Sequence, residues 1–349
     1  MYAGDSETPL WYYMVVKSFF DLGGFVKNSV KIWFSGFWPG FDINQNIFTD
    51  ILSSRYTVEI DDKKPDFLFC SSFSEEHFKY KCVKIYYVGE NITPDFNLYD
   101  YALGFDRIVF DDRYFRLPLY KLYQRKGDGS PADAAFWENE VARKTKFCNF
   151  LYSNNLCASE ERIQLLEAIE AYKRVECGGK IRNNIGGRVE DKDSWLRDFK
   201  FTIACENSSK PGYVTEKIFE ALRAHTIPVY WGDTQIAQDF NPRRFINCHD
   251  FANFEAVVAE IRRLDEDSEA CLAMLKEPWF TDGVPPLPQD DTALKDFLYH
   301  IIEQGPTASK RAIRDGFTRH YWENRRMAGI LRPCIRLGCK LEKFFRHGK

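Results

Sequence analysis

Residues 199–232 read FKFTIACENSSKPGYVTEKIFEALRAHTIPVYWG. The apolar run 199–205 ends in a polar loop that holds Pro211 and Gly212. From 214 to 225 the apolar residues recur at helical spacing, and 226–231 is a second apolar run. Strand, loop, helix and strand in that order predict a βαβ unit. A parallel sheet presents ligand sites at the carboxyl end of such a strand and the start of such a helix. Glu206, Asn207, Tyr213, Glu216 and Lys217 fall there.

The alternation continues on both sides. Upstream, 30–34, 56–60, 67–70 and 83–88 read as strands, with helical spacing of Ile47, Ile51 and Leu52 between the first two. The stretch RKGDGSPADAA, 125–135, reads as a surface loop or linker. Downstream, 147–152 reads as a strand, and Ser159 as the cap of a helix with Ile163, Leu166, Ile169 and Tyr172 on its apolar stripe. A short strand near Val175 follows, then a helix starting at Asp233 or Thr234 and an amphipathic helix over 254–264. Two successive β/α sets predict an α/β chain of two doubly wound domains with a ligand cleft between them. The expected divisions are 1–145, 146–305 and a helical, basic segment 306–349, with the return towards the first domain at Lys310.

Bulk composition narrows the class. At 28% charged and 44% hydrophobic residues the chain reads as globular and soluble, and 349 residues are enough for two cores. No run of about 18 apolar residues predicts a spanning helix. The stretch LWYYMVV, residues 10–16, is short and lacks the basic flank of a signal peptide. Ten cysteines without paired metal spacing, several inside apolar runs, point to a reducing compartment. The net charge of −3 hides an asymmetry: from Lys310 onward there are twelve Lys/Arg against three Asp/Glu. There Ile330, Leu331, Ile335, Leu337, Leu341, Phe344 and Phe345 interleave with the basic residues, a pattern that suits an anionic membrane surface. A basic excess confined to that tail, with no binding motif, argues against nucleic acid.

The blocks ENSSKPGYVTEKI (206–218), HTIPVYWG (225–232) and DFNPRRFINCHDF (239–251) resemble the signature of the α1,3/α1,4-fucosyltransferases that use GDP-fucose. A second block far upstream, YYVGENITPDFNLYDYALGFD (86–106), is similar to the same family and stands in the correct order. The resemblance implies two facing Rossmann-like domains, the GT-B glycosyltransferase fold. It also implies inverting transfer of L-fucose to the GlcNAc hydroxyl (O3, possibly O4) of a lactosamine-type acceptor, giving Lewis X-like glycans. Without an anchor, the chain resembles a bacterial, cytoplasmic member whose tail lies on the inner membrane and whose acceptor is a surface or lipid-linked glycan.

Fucosyl transfer needs cations for the departing diphosphate, a base for the acceptor hydroxyl and polar groups around an oxocarbenium-like carbon. Lys217 opens the 214–225 helix, where its charge and the helix dipole point the same way. Arg162, in the first turn after Ser159, sets a cation against its local dipole, which a bound phosphate offsets. The resemblance assigns both to the pyrophosphate, Glu216 to the nucleotide ribose, and Tyr213 and Asn207 to the donor pocket. It assigns Glu90, at the carboxyl end of the 83–88 strand, as the base. Phe37 and Trp38, after the first strand, are aromatic candidates for stacking on the acceptor. No metal or other cofactor is implied: Asp191-Lys192-Asp193 stands in a charged loop without a supporting pattern, and Lys217 and Arg162 take over the ion's work. Two alternatives stay open, a transferase for another GDP-sugar and an inactive carbohydrate-binding homologue.

Overall fold

The structure, a computed structural model, describes residues 28–124, 134–153, 157–287, 290–313, 315–328 and 331. The stretch 10–16, most of the 125–135 linker and the tail beyond 331 lie outside the described residues. Two all-parallel sheets organise the chain. The first holds β1 (Ser29–Ser35), β2 (Thr57–Ile60), β3 (Phe67–Cys70), β4 (Val83–Tyr87), β5 (Tyr101–Gly104) and β6 (Tyr114–Arg116), in the order β2-β1-β3-β4-β5-β6. The second holds β7 (Lys146–Phe150), β8 (Val175–Cys177), β9 (Phe199–Cys205), β10 (Ile227–Trp231) and β11 (Ile246–Asn247), in the order β11-β10-β9-β7-β8.

Each order reverses direction once, at β1/β3 and at β7/β9. Open α/β sheets bind ligands beyond the carboxyl ends of the strands at such a reversal. The central strands β3, β4, β5 and β10 are buried along their whole length, which is why they read as unbroken apolar runs rather than alternating ones.

The domain limits differ from those read off the sequence. Helix Ala134–Arg143 places Trp137 in the second core, so the first domain ends at the linker and not at 145. Helix Thr292–Glu303 buries Leu294, Leu298, Ile301 and Ile302 in the first core. The chain has therefore returned to the first domain before 292, well ahead of Lys310. Local spacing defines that helix but not the core it joins. Beyond it, Trp322 packs edge-on against Phe78 at 5.8 Å, and the Tyr321 hydroxyl donates to Asp95 at 2.6 Å. Two further local readings change. Glu160, not Ser159, precedes helix Glu161–Tyr172; the Ser159 N–H is spent on the Asn207 carbonyl at 2.8 Å. After Gly232 there is no α-helix but a short 3-10 turn, Ile236–Gln238; Asp233 accepts the Gln235 N–H at 2.8 Å and pairs with Arg107 of the first domain at 3.0 Å.

That ion pair belongs to a buried cluster that ties the two halves together. Arg116 donates to both carboxylate oxygens of Asp239, at 3.0 and 2.6 Å. Arg107 reaches Asp233 and Asp239, each at 3.0 Å. Burial alone would weaken the charge on Arg116; the Asp239 carboxylate outweighs it and holds the guanidinium above its ordinary range. Gly212 (φ +85°) lets the opposite loop approach, since a Cβ there would lie 2.7 Å from the Phe105 carbonyl oxygen. Asp239→Ala leaves two arginines facing a largely dry interface, and the expected cost is about 3 kcal/mol. The unfolding midpoint in urea, read beside the parent chain, checks it.

Candidate active site

The cleft between the sheets has a volume of about 740 Å³. Trp38, Phe73, Tyr87 and Glu90 line it from the first domain, and Asn207, Tyr213, Thr215, Glu216 and Lys217 from the second. A smaller chamber of about 270 Å³ shares Asn207, Glu216 and Lys217 and runs back to Tyr152 and Arg162. It opens at the β7/β9 reversal of the second sheet.

On the second-domain side everything hangs on the loop after β9. Helix Glu216–Arg223 starts two residues later than the periodicity of 214–225 suggests, because Tyr213 and Val214 are buried as part of the loop. Past the cap at Ala224 the helix is stopped by His225, which takes a left-handed φ of +55° while the Thr226 N–H reaches the Ala221 carbonyl at 3.1 Å. Thr215 has the extended backbone of a helix cap, but its hydroxyl bonds outward to Glu206 at 2.7 Å, and its N–H goes to the same carboxylate at 2.7 Å.

Lys217 projects from the first turn of this helix. Its ammonium lies 3.2 Å from Glu206, 2.9 Å from the Thr215 hydroxyl and 3.5 Å from Glu216. Burial by itself would depress the ammonium, but the two carboxylates more than offset it, and Lys217 stays charged. Burial pushes the fully buried Glu206 above the usual carboxylate range, against the pull of Lys217. Burial also acts upward on Glu216, where Lys217 prevails and holds the carboxyl below its ordinary value.

Arg162 is fully buried, which removes the reading of it as a plain exposed arginine. Its guanidinium donates to the Cys205 carbonyl at 3.2 Å and to Asn207 Oδ1 at 2.7 Å, and lies 4.3 Å above the Tyr152 ring. Of the five residues expected at the donor side, Asn207, Glu216 and Lys217 line both the cleft and the smaller chamber, Tyr213 lines the cleft and Arg162 the chamber. Glu90 lines the cleft from the loop after β4. Of the two aromatic candidates, Trp38 reaches the cleft and is 38% exposed. Phe37 instead stacks on Phe41 at 4.2 Å and packs against the first core, so it supports the wall. Phe73, 51% exposed, lines the cleft and carried no signal in the sequence.

Glu206 is the residue whose part the sequence understated. Its position directly after an apolar strand was the available clue. The carboxylates of 191–193 are otherwise engaged: Asp191 caps helix Lys192–Arg197 and Asp193 pairs with Arg223 at 2.6 Å. Among the described residues no three His, Cys, Asp or Glu side chains gather as a metal site. His225 sits against Phe136 and Trp137, where burial lowers it to about 4, and has a structural role.

Comparisons with known proteins agree on one family. Residues 32–123 match the alpha-(1,3)-fucosyltransferase FucT N-terminal domain, and 141–276 match the C-terminal region of glycosyltransferase family 10 (fucosyltransferase). The alpha-(1,3)-fucosyltransferase FucT of Helicobacter pylori is 33% identical over 285 residues, 71% of this chain. The alignment spans 60% of that relative's own length. A crystal structure of an alpha1,3-fucosyltransferase with GDP-fucose is 30% identical and superposes with a TM-score of 0.64, covering 80% of this chain and 93% of that one. A further crystal structure of an alpha1,3-fucosyltransferase gives 0.69 at 29% identity, covering 82% and 93%. Both sheets, the facing arrangement and the sequence blocks that line the cleft are accounted for by one conclusion: this chain is a member of glycosyltransferase family 10, the fucosyltransferases.

Proposed function

We propose that the chain transfers L-fucose, with inversion, from GDP-fucose to the GlcNAc hydroxyl of a lactosamine-type acceptor, forming a Lewis X-like product. The observation that carries this reading is the cleft with Glu90 on one wall and Glu216 and Lys217 on the other, backed by a smaller chamber that shares Glu216 and Lys217 and is lined by Arg162. The Glu90 carboxylate takes the acceptor O–H proton. That oxygen bonds to the fucose anomeric carbon as the bond to the phosphate oxygen breaks. The electron pair leaves with GDP, whose diphosphate meets Lys217 and Arg162 while its ribose hydroxyls bond to Glu216. Attack from the face opposite the leaving group accounts for inversion. Relatives whose names carry α1,3- and α1,4-transfer support the reaction class.

A panel of GDP-fucose and GDP-mannose against N-acetyllactosamine tests the reading. Fucose transfer is expected, with GDP-mannose at background. Transfer from GDP-mannose alone would favour another donor, and sugar binding without turnover an inactive homologue. Turnover is expected to be unchanged in excess EDTA, because two side-chain cations face the diphosphate. Loss in EDTA with recovery on adding Mn²⁺ would overturn that assignment. The proposed setting is the cytoplasmic face of a bacterial inner membrane, held by the basic tail. Vesicle sedimentation with and without anionic lipid tests it on the full chain.

A further inference from the structure

Glu90 and the donor loop belong to different domains, yet a short run of hydrogen bonds joins them. Ile92 N–H closes a tight turn onto the Glu90 carbonyl at 2.7 Å, which holds the backbone of Glu90 and Asn91 in one turn. Asn91 Nδ2 donates to the Ser208 hydroxyl, and Asn91 Oδ1 is buried with no hydrogen-bond partner among the described residues. A second bond two residues along runs from Lys210 to the Thr93 hydroxyl. Thr93 in turn donates to Asp106 at 3.1 Å, and Lys210 lies 3.4 Å from the same carboxylate. On the donor side, Asn207, next to Ser208, is fixed by Arg162 at 2.7 Å and by the Ser159 N–H at 2.8 Å. The path Arg162–Asn207–Ser208–Asn91–Glu90 is thus an unbroken run of covalent neighbours and hydrogen bonds from the diphosphate cation to the base.

We propose that Ser208 and Asn91 are positioning residues: their bond sets the Glu90 carboxylate against the donor, so that a donor held at Arg162 and Asn207 fixes the base in place. This rests on the fucosyl-transfer reading and adds a requirement that the reading does not contain. Neither side chain needs to touch the reacting atoms. A base displaced by a fraction of an ångström loses rate while the donor pocket, built from other side chains, keeps its affinity.

The test uses the full chain with Ser208→Ala, Asn91→Ala, the double variant and Ser208→Thr. Transfer to N-acetyllactosamine gives kcat, and calorimetry gives the GDP affinity. Each alanine variant is expected to lower kcat about 10-fold with GDP affinity within about twofold of the parent, and the double variant to be no slower than either single one. Ser208→Thr keeps the hydroxyl and is expected to recover most of the rate. Unchanged kcat, a parallel loss of GDP affinity, or multiplied losses in the double variant would overturn the proposal. A parent chain that transfers no fucose would sink the functional reading instead. An active parent with an indifferent Ser208→Ala variant sinks only the bridge.

Discussion

Glu90→Gln is expected to lower fucosyl transfer by about 10²-fold or more while GDP affinity stays at the parent level. The amide keeps the size and hydrogen-bonding reach of the carboxylate but cannot take a proton. Glu90 stands on the first-domain wall, opposite the cations, so the donor pocket loses nothing. The Ile92–Glu90 turn is made by the backbone and survives the substitution. Initial rates at saturating GDP-fucose, beside a GDP titration, separate the two effects. Near-normal turnover would remove Glu90 from the role of base, and weakened GDP binding would place it on the donor instead.

Lys217→Met is expected to act on both binding and folding. In the proposed reaction the diphosphate would lose a charged partner in a partly closed site, for which a loss of about 10²-fold in turnover is expected, with a weakening of GDP affinity. The folded chain loses the cation between Glu206 and Glu216, and breaking a buried pair of this kind costs about 3–5 kcal/mol. The pH dependence gives the cause away. Burial already holds Glu206 above the ordinary carboxylate range, and removing Lys217 raises it further. A carboxyl raised in the folded state is bound to its proton there at a pH where the unfolded chain has lost it. Its stability contribution is therefore present at low pH and falls as pH rises from the ordinary carboxylate value through the folded one. The variant is thus expected to be closer to the parent at pH 5 than at pH 8 in thermal unfolding. An equal deficit at both values would mean that Glu206 does not depend on Lys217 for its charge.

The donor side was legible because it is local. Glu206 to Lys217 span a single strand–loop–helix passage, and apolar periodicity placed that passage to within two residues. Likewise β3 occupies the 67–70 run read from the sequence, since a fully buried strand leaves an unbroken apolar stretch. Phe37 and Trp38 show where that reasoning stops. Adjacent aromatics in one loop have equal claims in a sequence, and only the packing of Phe37 against Phe34, Phe48 and Tyr87 of the first core sends one ring inward and leaves the other to the cleft. The final helices show the same limit: the apolar stripe of Thr292–Glu303 suits either core.

By itself the sequence determined the alternating strands and helices, the βαβ passage at the donor side and, through two separated blocks, the family. These follow from spacing between near neighbours and from backbone geometry, which a chain carries wherever it goes. The tertiary structure decided which core each helix joins, that Asp239 faces Arg107 and Arg116, and that Asn91 meets Ser208 across the cleft. Those pairs stand more than a hundred residues apart, and no local preference brings them together. They are set by how the two sheets bury their remaining surfaces against each other, which only the folded whole specifies.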